Sequence, residues 1–429
     1  MSTAHAARGA STSRPEPRLR SATWAVVAVF FLAGFAFASW ASRLPAVRDV
    51  LGLSEAQMGL TLLFVAIGSI IALPLSGRVV DAIGASRAVL GFAAVNTTGL
   101  VLAVLCVDLG SVGLLRCALL LTGIGTGVWD AAMNLEGAAV EQRLGRAIMP
   151  QFHAAFSFGT VTGAGLGALA AWGHVGITVH LLVAVLAGLV GVAFAVRRFL
   201  PPEEVAHPAH PGDQAGADPA TAAGVSPERA PAAGRAPSAW TEPRTLMIGL
   251  VVLAAALTEG AANDWVGLAV VDGFDAADAL GAVGLAVFLS AMTGMRLLGT
   301  GLLDRHGRVP VLRLSAGLAI VGLVVFALVP SLWVALCGVV LWGMGAALGF
   351  PVGMSAASDD PRRAAGRVSV VATIGYSAFF VGPPLIGFLA EQVGYREALL
   401  IITVPLVLGL FAMGAVRPLP DAVGTVREG

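Results

Sequence analysis

Apolar runs of about twenty residues follow one another through nearly the whole chain, and they limit its folds more than any other feature. In hydrocarbon only a helix or a closed barrel satisfies its own backbone, and a crossing helix needs about 20 mostly apolar residues. Twelve such runs are read, at 22–42, 57–77, 86–107, 111–134, 152–172, 175–196, 245–270, 280–301, 310–329, 332–355, 367–390 and 396–416. Hydrophobic residues make up 57% of the chain before its 54 glycines are counted, and charged residues only 12%. A soluble domain carries about 25% charged residues to hydrate its surface, so an ordinary soluble enzyme is excluded. All 26 basic residues are arginine and are matched by 26 acids, so no basic field exists to hold nucleic acid. The expected fold class is an all-α membrane protein with twelve transmembrane helices in two six-helix bundles. Cys106, Cys117 and Cys337 lie in or beside apolar runs without CxxC or Cys/His spacing, so neither disulfides nor a metal site is expected.

One polar stretch is long enough to stand outside the bilayer. Residues 201–238 hold 8 of the 23 prolines and 11 alanines, with no apolar periodicity. That composition reads as a disordered linker. The expected organisation is a tail at 1–21, a first bundle at 22–196, a linker at 197–244, a second bundle at 245–416 and a tail at 417–429. Basic residues concentrate on the cytoplasmic side of membrane proteins. With both termini inside, 21 of the 26 arginines fall on that side. The expected location is the inner membrane of a bacterial cell, multi-pass, with both ends cytoplasmic. Arg14, Arg18 and Arg20 before an apolar run and Ala36-Phe37-Ala38 have the look of a signal peptide. The run is long for that role and pairs with a later span, so it reads as the first transmembrane helix.

The halves repeat at an offset of about 220–225 residues. Gly77-Arg78-Val79-Val80-Asp81-Ala82-Ile83-Gly84 follows span two, and Thr300-Gly301-Leu302-Leu303-Asp304-Arg305-His306-Gly307-Arg308 follows span eight. Leu121-Thr122-Gly123-Ile124-Gly125 in span four matches Leu341-Trp342-Gly343-Met344-Gly345 in span ten. Trp40 in span one matches Trp265 in span seven. Two similar bundles face each other across a central cavity, which rocking exposes to alternate sides.

With its paired Asp-x-x-Gly loops the chain resembles the major facilitator superfamily over residues 20–420. Ala82 and Ala85 stand where basic residues are usual in the first copy, and Thr300 replaces the leading glycine in the second. The resemblance implies that Gly77, Asp81, Gly84, Asp304, Arg305, Gly307 and Arg308 brace an inner gate. Trp129-Asp130-Ala131-Ala132-Met133-Asn134, Phe152-His153-Ala154-Ala155-Phe156-Ser157, Glu259-Gly260-Ala261-Ala262-Asn263-Asp264-Trp265 and Gly382-Pro383-Pro384 look like the branch that includes sugar permeases of the fucose-permease type. By that analogy spans one, four, seven and ten line the cavity.

Ionisable groups inside a membrane cost at least about 2.5–3.5 kcal/mol each at a helix centre, so each calls for an account. Glu259 lies near mid-depth of span seven, with Asn263 one turn on and Asp264 beside it. Desolvation favours the neutral form of a carboxyl group, so an acid there can load and release a proton. The competing reading is a permanent ion pair, with Arg296 in span eight as partner. Asp264 is a second proton-coupling candidate. Asp130, the third, shares a helix face with Asn134 at i, i+4; a polar cap near loop arginines is its alternative. His153 either relays protons or is an interfacial histidine. Glu136 and Glu141 read as solvated loop acids. A sugar stacks its apolar face on indole while its hydroxyls seek amide or carboxylate. Trp40, Trp129 and Trp265, with Asn134, Asn263, His153 and Arg296, are therefore substrate-binding candidates, and interfacial anchoring is the alternative for the tryptophans. Pro351, Pro383 and Pro384 remove backbone donors and are read as kinks that serve as hinges or as static bends.

No Walker A pattern appears, nor a nucleophile–base pair, so neither direct ATP use nor an enzyme is expected. The expected function is secondary transport of a small polar, sugar-like solute by proton symport. Proton antiport of an amphipathic compound is the alternative, and a non-transporting membrane sensor the second. The proton gradient is the energy source and no cofactor is expected. The expected partners are a small-molecule substrate and membrane lipid, with no nucleic acid, in a monomer.

Overall fold

The computed structural model describes residues 17–144, 148–201, 238–360 and 363–419. Most of the expected linker and most of both expected tails lie outside the described residues. Among the described residues the chain is entirely helical, and twelve helical segments are long and apolar enough to cross a membrane. They are span 1 (Pro17–Leu51), span 2 (Glu55–Ile83), span 3 (Ala85–Asp108), span 4 (Val112–Leu144), span 5 (Met149–Trp172), span 6 (Ile177–Arg198), span 7 (Pro243–Gly273), span 8 (Asp278–His306), span 9 (Arg308–Leu328), span 10 (Leu332–Ala357), span 11 (Gly366–Val393) and span 12 (Tyr395–Val416). An even number of crossings puts both described ends on one face, here the terminal face; the other is the distal face.

Several spans run longer than the apolar runs in the sequence. The first helix begins at Pro17, inside the expected tail, and span 4 continues to Leu144 rather than ending near 134. Span 1 breaks after Ala41, and a short helix, Leu44–Leu51, closes its distal end. Gly52 ends that helix in the left-handed region at φ 59°. Ser54 then caps span 2, accepting from the Gln57 amide while the Gln57 side chain accepts from the Ser54 amide.

The sequence repeat reappears as repeated packing. Gly123 of span 4 sits so close to span 2 that an added Cβ would lie 2.0 Å from the Val65 carbonyl oxygen. Its counterpart Gly343 in span 10 would place a Cβ 2.5 Å from the Phe288 carbonyl oxygen of span 8. Two residues on, Gly125 would meet the Asn96 amide of span 3 at 2.4 Å, and Gly345 the Ala319 amide of span 9, also at 2.4 Å. Small residues let helix backbones approach this closely in a membrane, where no hydrophobic force drives helices together. The loops match as well. Gly84 and Gly307 have φ 82° and 77°, and their amides bond to Val80 and Leu303 respectively, ending spans 2 and 8 in the same way. A side chain at either position would be strained.

The halves meet mainly along two lines, span 2 against span 11 and span 5 against span 8. The first is tightest towards the distal face. A Cβ on Gly59 would lie 2.4 Å from the Pro383 carbonyl oxygen, and one on Gly387 would lie 2.6 Å from the Glu55 carbonyl oxygen. Nearby, Arg48 of the first half is ion-paired with Asp272 of the second. The same guanidinium holds Asp49 at 2.5 Å and lies 5.8 Å from the Tyr395 ring centroid. The distal side is therefore sealed. On the terminal side Gly77, Asp81, Asp304, Arg305 and Gly307 are exposed, and neither aspartate has a partner among the described residues. Arg308 instead turns back into its own half and donates to Asp359 at 2.8 Å.

Candidate functional site

Side chains near the middle of long spans would be buried if the halves touched throughout. Several are not. Asp130 stands two residues from the midpoint of the helix Val112–Leu144, yet it is exposed. Asn134, one turn towards the terminal face, is partly exposed and donates its side-chain amide to the Asp130 carbonyl at 2.8 Å. His153 of span 5 is exposed, and Tyr376 of span 11 keeps 44% of its surface. Asp130 and Tyr376 belong to opposite halves and lie within electrostatic reach of each other. A water-accessible cleft thus enters from the terminal face and reaches mid-depth between the halves.

An ion pair stands in the wall of this cleft. Arg296 donates from Nη2 to Glu259 Oε2 at 2.9 Å. Its Nη1 reaches Ser157 Oγ of the opposite half at 3.5 Å, and its Nε donates to the Ala347 carbonyl at 3.3 Å. The last contact has a cause in the sequence. Pro351 has no amide hydrogen to give the carbonyl four residues before it, which is that of Ala347. Span 10 accordingly divides into Leu332–Ala346 and Gly349–Ala357, and the freed carbonyl holds the guanidinium. Glu259 and Arg296 keep 22% and 28% of their side-chain surface, so water reaches the pair.

The second-half wall is aromatic beside this pair. Tyr376 stands between Phe350 and Phe379, with ring centroids 5.8 and 6.2 Å away. Phe379 packs on Gly260, next to Glu259. The first-half wall presents Asp130, Asn134 and His153, and Ser157 is buried within it. A carboxylate without a cationic partner among the described residues therefore lies within reach of a phenol of the other half, whose wall also holds an ion pair. Such a set suits a polar solute with hydroxyl or amine groups and an apolar side.

A family model, the Major Facilitator Superfamily, matches residues 141–380. An uncharacterized transporter of Sinorhizobium fredii, y4wD, is 31% identical over 391 residues, covering 90% of this chain and 94% of its own. The chain belongs to the Major Facilitator Superfamily. Solved structures agree on the fold. The nucleoside transporter NupG superposes with a TM-score of 0.69 at 16% identity, covering 92% of this chain and 98% of its own. A D-xylose-proton symporter gives 0.66 at 15%, covering 95% and 99%. The molecule is thus a multi-pass membrane transporter of that superfamily.

In this superfamily member, the residues singled out from sequence divide into two groups. Glu259, Arg296, Asp130, Asn134 and His153 come together around the cleft. The three tryptophans do not. Trp265 is fully buried, 5.6 Å from the Tyr395 ring and against Gly387. Trp129, 5% exposed, lies within the apolar interior of the first half, and Trp40, 7% exposed, lies in the apolar cluster that joins the two halves. Each is a packing residue in this conformation and offers no face to a sugar. Asn263 and Asp264 are partly exposed, and Asp264 has no hydrogen-bond or ion-pair partner among the described residues. The helix Ala364–Val393 runs unbroken through Pro383 and Pro384, whose place is the distal seam.

The acids read as solvated are both engaged. Glu136 is fully buried and accepts from the Leu200 amide at 2.7 Å, fastening the end of span 6 to span 4. Glu141 accepts from the amides of Ile148 and Met149 at 2.7 and 2.6 Å, capping span 5. The sequence alone does not single out Tyr376 or Ser157 as a site residue. The one signal for Tyr376 was rarity, since the chain has only two tyrosines.

Proposed function

We propose that this transporter moves a small polar, sugar-like solute by alternating access, as a proton symporter in the inner membrane with both termini cytoplasmic. The observation that carries the reading is the placement of Asp130. It is an acid near mid-depth of its span, exposed to the cleft, with no cationic partner among the described residues, opposite Tyr376 and across from the half that holds the Glu259–Arg296 pair. Closing the terminal side around a charged, unpaired carboxylate would cost several kcal/mol in desolvation. Protonation removes that cost. Passage of the solute-loaded carrier is then favoured when Asp130 carries a proton, which leaves with the solute at the terminal face; the empty carrier returns without it, its carboxylate paired with a cationic group such as Arg296 once the solute has gone. Asp264, also without a partner among the described residues, accepts a proton further towards the distal face in this reading.

In this reading the Glu259–Arg296 pair recognises solute. Its carboxylate accepts from solute hydroxyls, its guanidinium donates to solute oxygens, and the Tyr376–Phe379 rings take the apolar face. The sugar-permease likeness of the motifs around Asp130, His153 and Glu259 supports this choice, as does a proton symporter of D-xylose among the structural neighbours. The excess of arginine on the terminal face supports its cytoplasmic placement.

The test is proton movement in proteoliposomes without an imposed gradient. Adding a panel of monosaccharides and polyols outside should make the external medium alkaline for at least one of them. Acidification on addition would indicate antiport, and saturable binding without flux would indicate a sensor. Either result would displace the symport reading.

A further inference from the structure

Away from the central cleft, a trough runs along the outer surface between spans 1 and 6, near the terminal face. One side is Pro17, Arg20, Ser21, Trp24, Ala25 and Ala28, a single face of the first helix. The other is Gly191, Phe194, Ala195 and Arg198. The volume is about 520 Å³. The two helices run in opposite directions, so Arg20, near the start of one, lies level with Arg198, near the end of the other. Both guanidinium groups are exposed, and Arg198 donates to Ser21 Oγ at 3.3 Å. Deeper in, the floor is small (Ala25, Ala28, Gly191, Ala195). The rims are Trp24 and Phe194, 63% and 61% exposed.

We infer that this trough is a binding site for one anionic phospholipid of the leaflet at the terminal face. Charge complementarity selects the headgroup. Two arginines and a serine hydroxyl converge where a phosphate would sit, and among the described residues no acidic side chain lines the trough. Guanidinium groups match phosphate oxygens in pairs. The small-residue floor selects the tail. From Arg20 to Ala28 the helix rises about 12 Å, enough to seat the upper half of an acyl chain between two aromatic rims. Tryptophan also favours the bilayer–water boundary, which puts Trp24 at the depth where headgroup gives way to chain. The site is separate from the solute cleft and does not depend on the substrate or on proton coupling.

Native mass spectrometry of the detergent-solubilised full chain tests the assignment, with phosphatidylglycerol and phosphatidylcholine of the same chain length as probes. Wild type should retain phosphatidylglycerol at least fivefold more than phosphatidylcholine. Arg20→Gln with Arg198→Gln should abolish that preference, and Ala28→Trp, which fills the floor, should reduce retention of both lipids. Arg78→Gln, at the same face but outside the trough, should change nothing. Equal retention of the two lipids, or retention insensitive to the Arg20 and Arg198 substitutions, overturns the site. So does preferential binding that appears only after residues 1–16 are deleted, because the chain's own N-terminus would then be the occupant. Folding of each variant is checked by its thermal unfolding midpoint.

Discussion

Glu259 and Arg296 meet at 2.9 Å near mid-depth of the second half, and the same guanidinium extends to Ser157 of the first half at 3.5 Å. One side chain thus bridges the membrane interior of both bundles. Removing one member of a fully buried pair costs about 3–5 kcal/mol. Here about a quarter of each side chain stays wet, so about 1–3 kcal/mol is expected for Glu259→Gln. Its unfolding midpoint in detergent should fall by several degrees, and uptake should drop more than tenfold. The double variant Glu259→Gln/Arg296→Gln should regain most of the midpoint and none of the uptake. Recovery of uptake in the double variant would reduce the pair to a structural clamp.

Asp130 is expected to separate coupling from recognition. Asp130→Asn keeps the shape and the hydrogen bonding with Asn134 but cannot exchange a proton. Proton-driven accumulation should fall to the equilibrium level, while counterflow of labelled against unlabelled solute continues at a rate within about threefold of wild type. If Asp264→Asn shows that pattern and Asp130→Asn does not, the proton carrier lies nearer the distal face. Tritiated solute in proteoliposomes, with and without a pH gradient, distinguishes the two.

Much of this was legible in the sequence because the bilayer imposes it. A span must be apolar for about twenty residues, so the twelve crossings could be read directly. The Gly123/Gly343 and Gly125/Gly345 matches mark the repeat, and each glycine lies at a close helix contact that a side chain would block. What could not be read was rotation. Spans that are apolar all round carry no phase, so Trp40, Trp129 and Trp265 were chosen by chemistry, and all three turn into packed interiors. Tyr376 was missed for the same reason. Glu136 and Glu141 read as solvated because a span end is expected to be wet, whereas Glu136 satisfies the Leu200 amide just beyond span 6 and Glu141 the free amides at the start of span 5. The Arg296–Ala347 contact depends on Pro351 fifty-five residues away in sequence from Arg296, a link no local motif contains.

Pro351 yields a prediction that separates stability from function. Pro351→Ala restores an amide that can bond to the Ala347 carbonyl, in competition with Arg296 Nε. Span 10 should straighten, and replacing an internal helix proline recovers up to about 3 kcal/mol of helix stability. The unfolding midpoint should rise or hold while uptake falls severalfold, because the guanidinium loses one of its anchors. Unchanged uptake kinetics would show that the broken helix plays no part in placing Arg296.

The distal seam should be sensitive to a single methyl group. Gly59→Ala would put a Cβ 2.4 Å from the Pro383 carbonyl oxygen, and both clashing atoms are backbone or Cβ, so neither can swing away. The state described here, closed at the distal face, should lose population in favour of one open there. Spin labels at Val50 and Ala276 should report longer distances in Gly59→Ala than in wild type by double electron–electron resonance. Asp272→Asn, which weakens the Arg48 pair without adding bulk, should give a smaller shift in the same direction. Identical distance distributions in all three proteins would mean that the seam does not control opening.

Glu242 sets an acid limit on the second bundle. It precedes span 7 and lies outside the membrane-crossing segments. It is paired with Arg363 and with Arg367, the latter at 2.7 Å, and accepts from Thr245 Oγ1 at 3.0 Å. Burial alone would push its carboxyl up, but the hydrogen bonds from Arg367 and Thr245 and the charges of Arg367 and Arg363 outweigh it, holding the group below the usual value of 4.5. A depressed folded value means that the stabilisation is fully present above the unfolded value and is lost as pH falls through the folded one. Wild type should therefore unfold at a higher temperature than Glu242→Gln at pH 6–8, and the gap should narrow below about pH 4.5 and close at lower pH. A gap that stays constant from pH 7 to pH 3 would show that the Glu242 carboxylate contributes shape rather than charge to the junction of spans 7 and 11.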